Sequence, residues 1–199
     1  MAWIFGGKHF GQYTYEHWFD DEYTHTQEGK IMKKETVILF ANYNKSVNIM
    51  MNDIIKTLNC DEWVKPLGGF FPSVRGLCSH LYIGDYNWLK RFGRLRLFTG
   101  LSNSFFDDDY LFSQTLFDNM EEYLAKRPDL DSRIITFASE IADNDLVQSL
   151  KYIDSKGAAQ ERNFGKCLLQ FQNHQTHHRG MISLYLEILG RNNDFSFFE

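Results

Sequence analysis

Apolar side chains recur at Phe40, Tyr43, Val47, Met50, Met51, Ile54, Ile55 and Leu58. Steps of three and four put them on one face of a helix from Lys33 to about Asn59. Ser73, after Pro72, offers an N-cap for a second helix through Phe92, with Val74, Leu77, Cys78, Leu81, Trp88 and Leu89 as its apolar positions. Residues 99 to 109 read as a loop, and the run Asp107, Asp108, Asp109 lacks the spacing of a metal-binding loop, so it reads as solvated. A third helical region runs from about Leu111 to Leu124, breaks near Pro128 and resumes from Asp131 to Ala142. The period then changes: Leu146 to Ile153 and Ala158 to Asn163 flank the polar segment Asp154-Ser155-Lys156-Gly157, which suits a hairpin turn. A last helix from about Phe164 to Leu189 stops at Gly190, a residue that tolerates the left-handed conformation of a helix end. The expected fold is all-α, a four-helix bundle with a short β-hairpin before the last helix.

Residues 1–31 do not fit this scheme. They hold eight aromatics, Trp3, Phe5, Phe10, Tyr13, Tyr15, Trp18, Phe19 and Tyr23, with neither helical nor strand periodicity. They are either an extension upstream of the domain at 32–199, even a translated leader, or an aromatic arm packed on its surface. Mass spectrometry of the native protein separates the two, because an intact residue 1 rules out the leader.

Composition narrows the classes of function. A net charge of −5 has the wrong sign for a protein built to hold a phosphate backbone, so nucleic acid is not expected as a partner. Three cysteines, Cys60, Cys78 and Cys167, are too few and too scattered for a secreted disulfide framework. No run approaches the roughly 18 apolar residues of a membrane span, and the N-terminus lacks the pattern of a secretory signal. The expectation is a soluble, cytoplasmic protein with no membrane partner.

Candidate chemistry sits on the last helix. Its inward positions step by four and three through Cys167, Phe171, His174, His178, Met181, Tyr185 and Ile188, a seam on which two members are histidine. Buried imidazoles cost desolvation unless their nitrogens find partners. Residues four apart share a helix face about 6 Å apart along the axis, so His174 and His178 can converge on one metal ion, although the same spacing also occurs on solvated faces and in satisfied cores. His80 lies on the inner side of the second helix, between Leu77 and Gly84, and can face the same point. Three imidazoles leave coordination positions open, as catalytic sites require. His177 is rotated off the seam and reads as a rim residue; His9, His17 and His25 read as surface residues of the first segment. Cys167 is about 10 Å of helix rise from His174, too far to share an ion, and it and Cys78 read as small core residues.

The segment Asn173-His174-Gln175-Thr176-His177-His178-Arg179-Gly180, with Leu186, Leu189 and Gly190, resembles the signature of the DinB-like metalloenzymes. The resemblance extends to Ser79-His80-Leu81 with Asp85 and Trp88-Leu89, and to Tyr43-Asn44 with Asn48, and so covers about Lys33 to Gly190. Met181 stands where the family usually has Gln, and Ser46 where an aromatic is common. The resemblance implies an up-down-down-up four-helix bundle, often a homodimer and often linked to stress, in which His80, His174 and His178 ligate zinc or nickel. Asp85 is a candidate carboxylate behind the ligands, with a salt-bridged or surface Asp as the alternative. Arg179 is expected to lie off the metal face and to pair with a carboxylate on a neighbouring helix.

By the same resemblance the leading expectation is transfer of a low-molecular-weight thiol cosubstrate to a small-molecule electrophile. A divalent cation lowers the pKa of a bound thiol and makes it nucleophilic at neutral pH. A metal-dependent hydrolase of small substrates and a non-catalytic metal-binding, stress-associated bundle are the alternatives. No separate general base stands out.

Overall fold

The computed structural model describes residues 32–101 and 104–198; residues 1–31, and with them the choice between leader and arm, lie outside the described residues. Five helices and one hairpin follow each other as α1 (Lys34–Ile55), α2 (Cys60–Val64), α3 (Val74–Phe92), α4 (Met120–Glu140), β1 (Ser149–Ile153), β2 (Ala159–Asn163) and α5 (Phe164–Ile188). No described helix is long and apolar enough to cross a membrane.

Local chemistry sets most of the boundaries. Ser73 caps α3 by accepting from the Gly76 N–H at 3.1 Å, and Asn119 and Asn163 cap α4 and α5 through Glu122 and Lys166. At the end of α5, Gly190 takes φ +80°; its N–H donates to the Glu187 carbonyl, and the Arg191 N–H donates to Leu186. These two bonds satisfy carbonyls that a helix end otherwise leaves open. The hairpin is antiparallel, with Leu150 opposite Arg162 and Tyr152 opposite Gln160, and it turns through Asp154–Gly157 with Gly157 at φ +83°. The one-turn α2 was not expected from the sequence; Asn59 and Glu62 cap each other reciprocally, and Trp63 is buried beneath it.

The third helical region differs from its expected form. Residues 107–119 are not helical apart from a turn, because Phe117 buries itself from the loop against Tyr82 and Tyr123, and Asn119 starts the helix. Helix α4 also runs through Pro128 without a break. Proline's fixed φ is helical, so what is lost is one backbone bond and local fit, about 3 kcal/mol. Buried contacts of Tyr123, Arg127, Leu130 and Asp131 hold the helix on both sides of it.

Side-chain contacts give the directions. Lys34 reaches Ser139 and Asp143 while Asn48 reaches Asp131, so α1 and α4 are antiparallel. Asp85 meets Arg127 and Phe92 stacks on Phe137, so α3 and α4 are parallel. Gly84 faces His174 and Phe92 meets Phe164, so α5 runs against α3. The arrangement is the expected up-down-down-up bundle.

Its core carries charge. The fully buried Arg127 guanidinium lies 2.7 Å from Asp85 and 2.5 Å from Asp131, which also accepts from Asn48 at 2.8 Å. Asn44 donates to Gln175 and carries the polar chain from α1 to α5. Removing one member of a buried ion pair strands the other, at about 3–5 kcal/mol. Arg127→Met should therefore lower the unfolding free energy by about that much, read from urea unfolding of wild type and variant.

Candidate metal centre

Three imidazoles meet between α3 and α5. The Nε2 atom of His80 lies 3.1 Å from Nε2 of His174 and 3.1 Å from Nε2 of His178, and the ligand-capable atoms of all three fall within 4.8 Å of one another. Nitrogens bound to one ion at about 2.0–2.1 Å stand roughly 2.9–3.4 Å apart, so the donor set fits a single metal. His80 and His178 are buried and His174 is half-buried, whereas His177 is exposed beside His178 with ring centroids 4.8 Å apart, the rim position expected of it.

Neighbouring groups fix how the rings point. His80 Nδ1 lies 3.2 Å from the Phe112 carbonyl; with the proton assigned to Nδ1 as donor, the Nε2 lone pair faces the other two rings. Phe71 stacks on His80 at 4.0 Å and meets His178 edge-on at 5.8 Å. Phe71 is held in turn by Tyr185, whose hydroxyl donates to the carbonyls of Gly68 and Phe71. Gly69, at φ +74°, passes so close that a Cβ there would stand 2.7 Å from the Tyr185 hydroxyl. Across the cluster, a Cβ on Gly84 would stand 2.5 Å from His174 Cε1. The missing side chain of Gly84 is thus the space that the His174 ring fills.

Burial sets the electrostatics. It pushes the His174 and His178 imidazoles well below the ordinary histidine range, with the neighbouring imidazoles adding to the effect, and lowers His80 for the same main reason. All three are neutral at pH 7, the form in which histidine ligates metal. The Nδ1 atoms of His174 and His178 have no hydrogen-bond partner among the described residues.

Other sequence expectations meet different surroundings. The carboxylate of Asp85 is fully buried and paired with Arg127, and among the described residues it makes no hydrogen bond to a clustered imidazole. It is the salt-bridged Asp of the alternative reading. Arg179 makes no ion pair with a carboxylate among the described residues; it is buried with its guanidinium carbon 5.2 Å over the Tyr43 ring. The expected pairing with a carboxylate is corrected to a cation–π contact. Cys78 and Cys167 are buried, outside the cluster, and burial pushes their thiols up to about 12 and about 11. At the far end of the seam Ile188 is 57% exposed, with Ile182 and Leu186 buried instead. A straight helix drifts about 20° per heptad from a seven-residue repeat, and three heptads separate Cys167 from Ile188. Phe71, Phe112 and Arg127 were not singled out from the sequence. Nothing local marks the two phenylalanines, since each reaches the site from a loop.

The DinB family model matches residues 32–194. Comparisons with curated proteins and with solved structures found no match.

Two outcomes follow from the packing and burial of these rings. Gly84→Ala should displace the His174 ring and weaken zinc binding about 10- to 100-fold, measured by chelator competition, while circular dichroism retains the helical signal. In the metal-free protein, unfolding frees imidazoles whose folded pKa values are lowered, so the unfolded chain binds more protons below about pH 6.5. Stability is fully present above that pH and falls as the pH drops through it. Urea midpoints between pH 7.5 and 5 should decline, and more shallowly for the His174→Leu, His178→Leu double variant.

Proposed function

The chain belongs to the DinB family, and we propose on that footing that His80, His174 and His178 hold a divalent cation, zinc or nickel, in an enzyme that transfers a low-molecular-weight thiol to a small electrophile. The observation that carries this reading is the donor set: three neutral imidazoles converging through Nε2, with no carboxylate or thiolate among them. When bound, a divalent cation in such a set keeps its full charge and open positions, and lowers the pKa of a thiol there to give a nucleophilic thiolate.

The chain's own residues supply orientation and exclusion of water. The Phe112 carbonyl and the Phe71 ring fix His80, and Gly84 gives His174 its place. Phe71 and Phe112 also present apolar walls beside the imidazoles, suited to a sulfur nucleophile and an uncharged electrophile. Asp85, the carboxylate expected behind the ligands, is committed to Arg127 and is not free to serve as a general base. The same cation would also lower the pKa of bound water, so the thiol dependence of product formation is what separates transfer from hydrolysis.

Metal analysis after mild purification should give about one zinc or nickel per chain, restored on adding metal to stripped protein. Less than about a tenth per chain, with no recovery, would overturn the reading. His178→Ala should lose the metal and the activity while keeping its helix content. With a chromogenic electrophile, product should require added thiol; equal product without thiol would assign the site to hydrolysis.

A further inference from the structure

About three turns along α3 from His80, the helix carries a cation that the three-histidine cluster does not use. His80, Gly84, Trp88 and Arg91 follow one another at steps of four, four and three, so they share a face. The Arg91 guanidinium is held by three rings, its carbon 5.0 Å from the centroid of Trp88, 5.1 Å from Tyr152 and 5.6 Å from Phe112. Phe112 also lies 6.2 Å from the His80 imidazole, so a single phenyl ring separates the guanidinium from the cluster.

Ring faces hold a cation but do not satisfy its N–H donors. Among the described residues the Arg91 side chain makes no hydrogen bond and no ion pair within 4 Å, although the residue is half-buried. The acid that acts on it electrostatically is Asp154, whose carboxylate is already engaged by the Lys156 and Ala158 N–H groups and the Gln160 amide within the hairpin turn. The hairpin supplies a second cation. Arg162 stands opposite Leu150 in the hairpin register, so it shares the inward face of Leu150 and Tyr152. Like Arg91 it is half-buried, without a carboxylate partner among the described residues, and it acts electrostatically on Tyr152 and Cys167, as Arg91 does. Tyr152 thus lies against the Arg91 guanidinium and on the same hairpin face as Arg162.

We infer that Arg91, supported by Arg162 on the hairpin face that carries Tyr152, forms an anion subsite that receives a carboxylate of the thiol or of the electrophile, and so selects acidic small molecules for the three-histidine centre. The inference rests on the proposed thiol chemistry for its biological meaning, but not for its physical content. Arg91 and the His80 imidazole both lie against Phe112, at 5.6 and 6.2 Å, and a planar carboxylate matches the guanidinium fork.

The test uses ω-mercapto acids from mercaptoacetate to 8-mercaptooctanoate against the matching ω-mercapto alcohols. Binding to cobalt-loaded protein is read from the thiolate charge-transfer absorption. At one chain length the acid should bind about tenfold or more tightly than the alcohol. That preference should fall to near unity in Arg91→Gln and shrink in Arg162→Gln, with cobalt stoichiometry unchanged in both. Acids and alcohols that bind alike at every length, or a preference that survives both substitutions, would overturn the subsite. A metal-free arm separates its failure from failure of the metal reading: glutarate, but not glutaramide, should shift the Arg91 Nε–Hε signal saturably in nitrogen-15 NMR spectra of the wild type. If no thiol gives a charge-transfer band yet glutarate shifts Arg91, the thiol chemistry falls and the subsite stands. If glutarate leaves the signal unmoved, the subsite falls.

Discussion

A guanidinium buried with two carboxylates has little freedom. Arg127 can sit at the centre of the bundle only if Asp85 from α3 and Asp131 from its own helix are both within hydrogen-bonding distance, and Asn48 completes the set from α1. Such a group adds little net stability compared with an apolar core, but any register that leaves it unpaired is heavily penalised. It therefore acts as a register lock. It sets α3 against α4 and α1, and Asp85 is the residue directly after Gly84, against which the His174 ring of α5 packs.

The imidazole cluster inherits its geometry from that lock. Gly84 lacks a side chain, so the His174 ring occupies the space between the helices and turns its Nε2 toward His80. Loops complete the surroundings: Tyr185 pins the segment that carries Phe71, and the chain before α4 delivers both the Phe112 carbonyl to His80 and the Phe112 ring to Arg91. The long non-helical stretch ahead of α4 is thus part of the site's architecture. The same stretch buries Phe117, which explains why its apolar residues do not extend the helix.

Much of this was legible residue by residue. Ser73, Gly190 and the Asp154–Gly157 turn marked their boundaries because caps and turns depend on neighbours within a few positions. His174 and His178 stood out because polar residues interrupted an otherwise apolar seam, and the motif around them carried the family resemblance. Pro128 misled because its local preference was outweighed by burial on either side. Ile188 misled because a seven-residue repeat was carried too far along a straight helix. Arg179 and Asp85 were open choices among partners, and a spacing rule within one helix cannot say which residue of another helix a side chain will meet.

By itself the sequence determined an all-α bundle with a hairpin, the ends of most of its helices, and a histidine pair with a third imidazole on another helix to join it. These follow from periodicity and capping, which act over one or two turns. Only the tertiary structure decided that three Nε2 atoms meet, that Asp85 serves Arg127 and not a clustered imidazole, and that Arg91 lies against Phe112 without a carboxylate partner among the described residues. Those outcomes depend on which helix faces turn toward each other and on where loops come to rest, and both are set by burial and charge pairing between residues far apart in the chain.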